Sequence, residues 1–293
     1  MLTVAVTGAT GAQGGATARA LLAAGHHVRA LTRHPSSTAA EALRGLGADV
    51  RHADFDDRAS LGAALSGTDS LFAVTTPFGT DTTTETRQGK ALVDAAAAAD
   101  LRHIVFTSAA HADRGTAVPH YESKYLVEQY LHTTDVPWTV IAPAAFMDNY
   151  AGGWTLDGLR DNTFAWPMPA DRPLTLIPAA DIGAFAALVL QRRDDFAGRR
   201  IDIASDECSP GRIAEILATR TERPIAHQEV PLAHVRMRSA DLAAMFEYFT
   251  TVGLDVDVAG LRRDYPEVGW HNFADWAAGQ DWPALLSPGP ADR

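Results

Sequence analysis

Three glycines follow the first apolar segment of the chain. The residues Gly8-Ala9-Thr10-Gly11-Ala12-Gln13-Gly14 have the spacing G-x-x-G-x-x-G. Gly8 permits a tight turn, Gly11 permits close approach of a ligand, and Gly14 lets a following helix pack on a sheet. A phosphate binds at a helix N-terminus where N–H groups are presented without Cβ atoms in the way. The segment therefore predicts a dinucleotide site, with a purely structural turn as the alternative. Its expected binding residues are Gly8, Thr10, Gly11, Ala12, Gln13 and Gly14.

The end of the second strand-like segment decides which dinucleotide is expected. A carboxylate at this place binds a ribose 2′-hydroxyl, whereas an arginine accommodates a 2′-phosphate. Residues 31–34 contain Arg33 and no carboxylate. Arg33 therefore favours NADP(H) over NAD(H), unless it is only a solvated charge at the end of a strand.

The third strand-like segment ends in two residues that suit an adenine ring. Asp54 is expected to accept a hydrogen bond from the adenine amine, and Phe55 to pack beside the ring. An alternative role, as N-cap of the next helix, fits Asp56 or Asp57 better than Asp54.

A histidine and a lysine four residues apart can share one face of a helix. His120 and Lys124 lie about 40° apart around a helix, closer than the roughly 60° that separates Tyr121 from Lys124. The Lys124 ammonium can hold ribose hydroxyls and stabilise negative charge that develops on a substrate. His120 can supply a proton near neutral pH, and Tyr121 is the alternative acid. Lys124 could instead be a surface charge, and His120, after Pro119, a plain first-turn residue.

Further candidates follow the later strand-like segments. Ligands of open α/β sheets bind outside the carboxyl ends of the strands. The expected cofactor contacts at these ends are Thr75, Thr76, Pro77, Phe78, Ser108, Pro143, Ala144, Ala145 and Phe146, together with Lys124.

An apolar and partly aromatic set is expected to bind the substrate. Such a lining suits a flat or bulky hydrophobic compound better than a sugar or a phosphorylated metabolite. The alternative for each residue is ordinary core. The predicted substrate residues are Phe78, His111, Phe146, Tyr150 and Trp154.

Strand-like and helix-like segments alternate through the first 142 residues. Parallel neighbours require crossovers, and strands separated by helices of this length give a parallel sheet with helices on both faces. The prediction is an α/β fold with a doubly wound parallel sheet. Its six strands are residues 2–6, 27–32, 49–52, 69–75, 102–108 and 138–142.

The second half of the chain is less regular. We expect a cofactor domain over residues 1–150 and a smaller α/β substrate lobe over residues 151–293, with segments that return to the sheet. Residues 232–252 are predicted to form one helix and residues 273–278 the last helix. The tail, residues 287–293, is expected to fray.

Composition excludes several classes of protein. The chain has 25 Lys and Arg against 36 Asp and Glu, a net charge of −11, which argues against nucleic-acid binding. One cysteine, Cys208, excludes a disulfide framework, and no histidine spacing suggests a metal. The N-terminus lacks a basic region and no apolar stretch approaches about 20 residues, so we expect no membrane segment and a cytoplasmic location. The expected state is a monomer or homodimer.

The motifs occur in an order that resembles the NmrA-like family of atypical short-chain dehydrogenases, which have a Rossmann fold. The resemblance implies NADP(H) as cofactor and Lys124 as the catalytic lysine, with His120 in the position where short-chain dehydrogenases usually carry tyrosine. The family includes NADPH-dependent reductases of quinones, ethers, dyes and imines, and also NADP-sensing regulators. The segments that carry the resemblance are residues 8–14, Arg33, residues 75–78, 88–90, 120–124, 143–149, 178–183, 203–206 and 246–276.

Two functions follow from this resemblance. The first is an NADPH-dependent reductase that transfers hydride to a hydrophobic conjugated substrate of quinone, enone or imine type. The alternative is a non-catalytic NADP(H) sensor, which needs no proton donor. An isomerase or lyase that retains its nucleotide is a third possibility.

Overall fold

The computed structural model describes residues 1–287 in two compact units. The first unit comprises Met1–Pro143 and Ala179–Ile203, and the second comprises Ala144–Pro178 and the chain from Ala204 onward. The first break between the units follows Pro143. The sequence predicts a domain boundary at residue 150, and that boundary remains a prediction. The tail that is expected to fray, residues 287–293, lies outside the described part except for Ser287.

The described chain contains short strands and helices in close alternation. The strands are β1 Thr3–Val6, β2 His27–Thr32, β3 Asp49–His52, β4 Ser70–Val74, β5 His103–Thr107, β6 Trp138–Pro143, β7 Ala145–Phe146, β8 Thr163–Trp166, β9 Leu174–Ile177, β10 Arg199–Ile203, β11 Asp206–Cys208 and β12 Ala226–Glu229. The helices are α1 Ala12–Ala23, α2 Thr38–Gly45, α3 Arg58–Leu65, α4 Thr82–Ala98, α5 Pro119–Leu131, α6 Gly153–Arg160, α7 Ala179–Gln191, α8 Arg193–Phe196, α9 Pro210–Thr221, α10 Leu232–Arg238, α11 Ala240–Thr251, α12 Val258–Asp264, α13 Phe273–Ala278 and α14 Trp282–Leu286.

The first unit is built on a seven-stranded parallel sheet. The strand order is β10-β6-β5-β4-β1-β2-β3, and every neighbouring pair is parallel. The order reverses between β1 and β4, the point at which doubly wound sheets bind ligands. Interior strands such as β5 are buried along their whole length, as expected where helices cover both faces. The predicted fold class is therefore confirmed.

Helices α4 and α5 pack side by side in the first unit. Leu92 and Val93 of α4 and Val127 and Leu131 of α5 belong to one buried apolar cluster. At the surface the Tyr130 hydroxyl donates a hydrogen bond to Asp94 at 2.7 Å. Helices α4 and α5 are therefore held together by apolar and polar contacts that do not involve the candidate site residues.

The second unit has two small sheets and an aromatic cluster. Strand β9 pairs with β7 and β11, and β8 pairs with β12. Tyr150 is buried and lies 4.8 Å from Trp166 and 5.2 Å from Phe273, measured between ring centroids. Phe164 stacks on Trp166 at 5.5 Å. Aromatic packing of this kind supplies much of a small core.

The helical predictions for the second half need two corrections. The predicted single helix over residues 232–252 is two helices, because Ser239 ends α10 and its hydroxyl caps α11 by accepting a hydrogen bond from the Leu242 N–H. The predicted last helix, α13, is followed by α14, which Asp281 caps. In both places a short polar side chain that bonds the backbone begins a new helix.

Candidate functional site

The glycine segment between β1 and α1 has the backbone that a phosphate cradle requires. Gly8 has φ +56°, in the left-handed region that side chains disfavour. A Cβ at Gly14 would lie 2.3 Å from the Gly8 carbonyl oxygen, so the turn and the helix meet too closely for any side chain. The predicted reasons for glycine at these two positions match the geometry.

The first turn of α1 is left open for a ligand. Its N-cap is Gly11, which has no side chain to cap the helix, and Thr10 and Ala12 are exposed. The Gln13 side chain is anchored, because its carbonyl accepts a hydrogen bond from the Thr107 hydroxyl of β5 at 2.6 Å. N–H groups at an uncapped helix N-terminus fit an anionic phosphate, so the residues present suit a dinucleotide.

Charged residues lie beyond the ends of β2 and β3. Arg33 is exposed directly after β2. Asp56 binds Arg87 and also Gln88 of α4, at 3.0 Å, and these hydrogen bonds, with the charges of Arg87 and Arg33, hold its pKa below the usual range. The binding of a 2′-phosphate by Arg33 stays a prediction.

The two predicted adenine contacts also have roles within the protein. The Asp54 carboxylate accepts a hydrogen bond from the Asp56 N–H at 3.0 Å, and Phe55 packs partly buried against the core. Asp57 caps α3, in agreement with the expectation that the cap lies after Asp54. Contact of Asp54 and Phe55 with adenine remains a prediction.

Lys124 is a buried residue held from two sides. Its ammonium donates hydrogen bonds to the Thr75 carbonyl oxygen at 3.0 Å and to Glu85 Oε1 at 2.9 Å. Glu85, on α4, is 0% exposed and also accepts hydrogen bonds from the hydroxyls of Thr75, at 3.0 Å, and Ser123. The alternative that Lys124 is a surface charge is wrong.

His120 and Phe78 are neighbours. His120 is buried, and its ring centroid lies 5.8 Å from that of Phe78 and 4.8 Å from that of Tyr121. Phe78 is 64% exposed although it is a large apolar side chain. Thr76 is exposed and Pro77 buried. An exposed phenyl ring beside a buried imidazole suits the binding of an apolar ligand.

Ser108 belongs to a second buried ion-pair network. Its hydroxyl donates to Glu128 Oε1 on α5, and Glu128 Oε2 accepts from Arg200 Nε of β10 at 2.9 Å. Burial raises the pKa of Glu128, and the charge of Arg200 opposes the rise. The proton of Ser108 is thus directed at Glu128, and contact of Ser108 with a cofactor remains a prediction.

The remaining predicted residues are divided between the two units. In the first unit His111 is buried with φ +66°, and Pro143 ends β6. In the second unit Ala144 is buried, Ala145 and Phe146 form β7, Tyr150 lies in the aromatic cluster, and Trp154 is 39% exposed. Burial raises the pKa of Tyr150. Their contacts with cofactor or substrate stay predictions.

Sequence reasoning missed three residues of the two networks. Glu85, Glu128 and Arg200 were not singled out, although they bind Lys124 and Ser108 directly. The sequence offered no signal for them, because α4, α5 and β10 each contain other charged residues beside these three.

Residues 1–287 contain neither a membrane-spanning helix nor a cluster of metal ligands. No helix there is long and apolar enough to cross a bilayer. No group of three or more His, Cys, Asp or Glu side chains in the same range is arranged to hold a metal ion.

The sheet order and the glycine cradle define a dinucleotide-binding protein of the doubly wound class. A family model described as the NmrA-like family matches residues 2–277, and the chain belongs to that family. The resemblance expected from the motifs is confirmed.

Named relatives include both reductases and a regulator. The chain is 31% identical over 229 residues to (4-alkanoyl-5-oxo-2,5-dihydrofuran-3-yl)methyl phosphate reductase of Streptomyces griseus, covering 78% of this chain and 77% of the relative. It is 27% identical over 254 residues to the nitrogen metabolite repression protein nmrA of Emericella nidulans, covering 80% and 70%. It spans about half the length of two further fungal relatives.

A solved structure supports the same fold. NADPH-dependent quinone oxidoreductase QOR2 of Escherichia coli, complexed with NADPH, matches with a TM-score of 0.79 at 22% identity, covering 94% of this chain and 98% of that one. This likeness supports the fold, and the relatives named as reductases or oxidoreductases support the expected oxidoreductase.

Proposed function

We propose that the chain is an NADPH-dependent reductase that transfers hydride to an electron-poor carbon of a hydrophobic conjugated compound, such as a quinone, enone or imine. The observation that carries the proposal is the placement of Lys124. It is a buried, doubly held ammonium beside the carboxyl end of β4, in the unit that also contains the glycine cradle. Buried lysines are rare unless they are paired, and at such a sheet edge they suit ligand binding.

The proposed roles follow from the chemistry of each side chain. The N–H groups of the first turn of α1 bind the phosphates, and Arg33 binds the 2′-phosphate. Lys124 donates a hydrogen bond to the nicotinamide half of the cofactor. When it is bound, the reduced nicotinamide supplies a hydride ion, which amounts to one proton together with two electrons. His120 or water supplies the second proton, which completes the reduction of the substrate.

The exposed ring of Phe78 supports an apolar substrate. It lies beside His120, so a flat compound stacked on Phe78 would be within reach of a proton donor. His111 of the first unit, and separately Phe146, Tyr150 and Trp154 of the second unit, stay proposed substrate contacts. We include a cytoplasmic location and a small-molecule partner in the proposal.

Turnover with NADPH tests the proposal directly. Purified protein is mixed with NADPH and a panel of quinones, enones and imines, and the absorbance of the reduced cofactor is followed. We expect turnover on at least one panel member and its loss in Lys124→Met. Lys90→Met is the matched control, because Lys90 is the other lysine of the chain and lies over the Tyr130 ring instead.

A sensor without turnover is the second candidate. The observation that favours it is a histidine, His120, in the position where short-chain dehydrogenases usually carry tyrosine, together with the regulatory relative nmrA. Tight NADPH binding without turnover on the whole panel would replace the reductase by the sensor.

The 2′-phosphate assignment has its own test. NADPH should stabilise the protein against heat more than NADH does, and Arg33→Ala should remove the difference, because a charge-assisted hydrogen bond is lost. Equal stabilisation of the wild-type protein by NADH would refute the assignment of NADP(H).

A further inference from the structure

A fully buried carboxylate, Glu85, binds the proposed cofactor lysine. It receives hydrogen bonds from the Lys124 ammonium at 2.9 Å, from the Thr75 hydroxyl at 3.0 Å and from the Ser123 hydroxyl. Burial of a charged pair is costly even when its geometry is good. The free-energy cost of burying Lys124 and Glu85 suggests that the pair does more than join the two helices.

The packing of α4 on α5 does not require this ion pair. Leu92 and Val93 pack against Val127 and Leu131 in the apolar cluster, and Tyr130 binds Asp94 at the surface. A buried ion pair is in general weak support for stability, because well-packed apolar residues often replace it without loss. A role in binding explains the pair better than a role in helix packing.

The geometry leaves Lys124 with one directed donor. An ammonium has three N–H groups. One points to the Thr75 carbonyl oxygen at 3.0 Å and one to Glu85 Oε1 at 2.9 Å. Because the nitrogen is tetrahedral, the direction of the third N–H is then fixed. The pair of Lys124 and Glu85 also has no net charge, which suits a neutral hydroxyl as acceptor.

We propose that Glu85 is a positioning residue of the cofactor site, acting through Lys124. It holds the buried ammonium in place and directs its third N–H toward the neutral ribose hydroxyls of the nicotinamide half of the cofactor. The proposal rests on the cofactor part of the proposed function and not on turnover. Glu85 itself touches neither substrate nor cofactor.

Two ligands separate positioning from structural support. NADPH contains the nicotinamide riboside, whereas adenosine 2′,5′-bisphosphate lacks it and occupies only the adenosine half. In Glu85→Gln we expect NADPH affinity to fall about 10- to 100-fold, the range for a hydrogen bond to a charged group. Affinity for the bisphosphate should stay within about twofold, because Arg33 and the glycine cradle are unchanged. Both affinities are measured by titration calorimetry.

Asp94→Asn is the matched control. Asp94 lies on the same helix, and its carboxylate also bonds a side chain of α5, the Tyr130 hydroxyl at 2.7 Å, but not Lys124. This variant should bind both ligands as the wild-type protein does. An equal loss of both ligands in Glu85→Gln would assign Glu85 a purely structural role, and unchanged NADPH affinity would also overturn the proposal.

A double variant guards against misfolding of Glu85→Gln. In Lys124→Met the residue through which Glu85 acts is already removed, so adding Glu85→Gln should change NADPH affinity by less than about twofold. A further loss comparable to that of the single Glu85→Gln variant would contradict the proposal. Neither result depends on turnover, so absence of a reaction on the substrate panel would refute the reductase and leave the role of Glu85 to be decided by binding.

Discussion

Two equally buried glutamates, Glu85 and Glu128, form ion pairs that both involve helix α5, but α5 supplies the cation in one pair and the carboxylate in the other. Glu85 lies on α4 and binds a cation of α5, Lys124, whereas Glu128 lies on α5 and binds a cation of β10, Arg200. Both carboxylates are 0% exposed. Lys124 and Glu128 are four residues apart, one turn along α5, so a single helix takes part in both networks.

The two cations differ in how many of their donors the protein uses. Arg200 donates to Glu128, to Asp202 and to the Ala109 carbonyl oxygen at 3.0 Å, and it lies 3.3 Å from Asp113. Lys124 has two bonds for three N–H groups. A cation that binds several protein acceptors, as Arg200 does, connects parts of the protein, and a cation with a directed free donor is suited to a ligand.

Removal of Arg200 should have the largest effect on stability. Arg200→Leu leaves Glu128 buried without its cation, and we expect the free energy of unfolding to fall by about 3–5 kcal/mol. Chemical denaturation measures the change. Arg192→Leu is the control, because Arg192 forms an exposed pair with Asp195 and should cost less than about 1 kcal/mol. Similar losses in the two variants would show that the buried network is no more important than a surface pair.

Removal of Lys124 should affect binding more than stability. In Lys124→Met the Glu85 carboxylate keeps the hydroxyls of Thr75 and Ser123, so we expect a smaller loss of about 1.5–3 kcal/mol. NADPH affinity, measured by fluorescence titration, should fall at least about tenfold. The contrast between the two networks fails if Lys124→Met destabilises the protein as much as Arg200→Leu and leaves NADPH binding unchanged.

Joint removal of the buried charge pair should cost less than removal of Arg200 alone. The double variant Arg200→Met/Glu128→Gln leaves no uncompensated charge at Glu128, and we expect it to be more stable than Arg200→Leu. The comparison is made by denaturation alongside Arg200→Leu. If the double variant is as unstable as Arg200→Leu, the loss is due to the contacts of Arg200 with Asp202 and Asp113 rather than to the unpaired Glu128.

The smallest expected effect on stability is that of His103, a buried group bonded to a neutral partner, and this effect depends on pH. His103 Nε2 lies 2.9 Å from the Thr139 hydroxyl, and burial lowers its pKa to about 4. The folded state therefore takes up its proton at lower pH than the unfolded state, so stability present above the unfolded pKa is lost as pH falls toward 4. Between about pH 7.5 and 5.5 the loss from this group is roughly 1 kcal/mol.

Comparison of variants isolates the contribution of His103. Denaturation at the two pH values gives a difference for the wild-type protein and for His103→Gln. The difference should be smaller in the variant, whatever its absolute stability. An identical pH dependence would show that His103 titrates alike in both states.

The fold and the glycine cradle were predictable because their causes are local. Residues 8–14 supply both the turn and the start of α1, and apolar segments separated by helical ones specify a parallel sheet. Position 124 was found from its spacing to His120 and from the family pattern. Each of these signals lies within a short stretch of sequence.

The partners of Lys124 and Ser108 were not predictable because they are distant in sequence. Glu85 and Lys124 are separated by 39 residues, and Glu128 and Arg200 by 72. In the structure α4 begins at Thr82 with Asp81 as its cap, so Glu85 lies in the first turn of α4, where it is buried.

The contact between α1 and α7 bears on how the chain folds during synthesis. A Cβ at Gly183 of α7 would lie 2.5 Å from the backbone of Ala16 in α1, so the two helices touch along their backbones. Helix α1 therefore cannot complete its packing until α7 has been synthesised, well over a hundred residues later. A nascent chain or a fragment that ends at residue 150 exposes the small-residue face of α1 that is buried in the complete fold. Chaperones that bind exposed apolar surface could bind α1 during this interval.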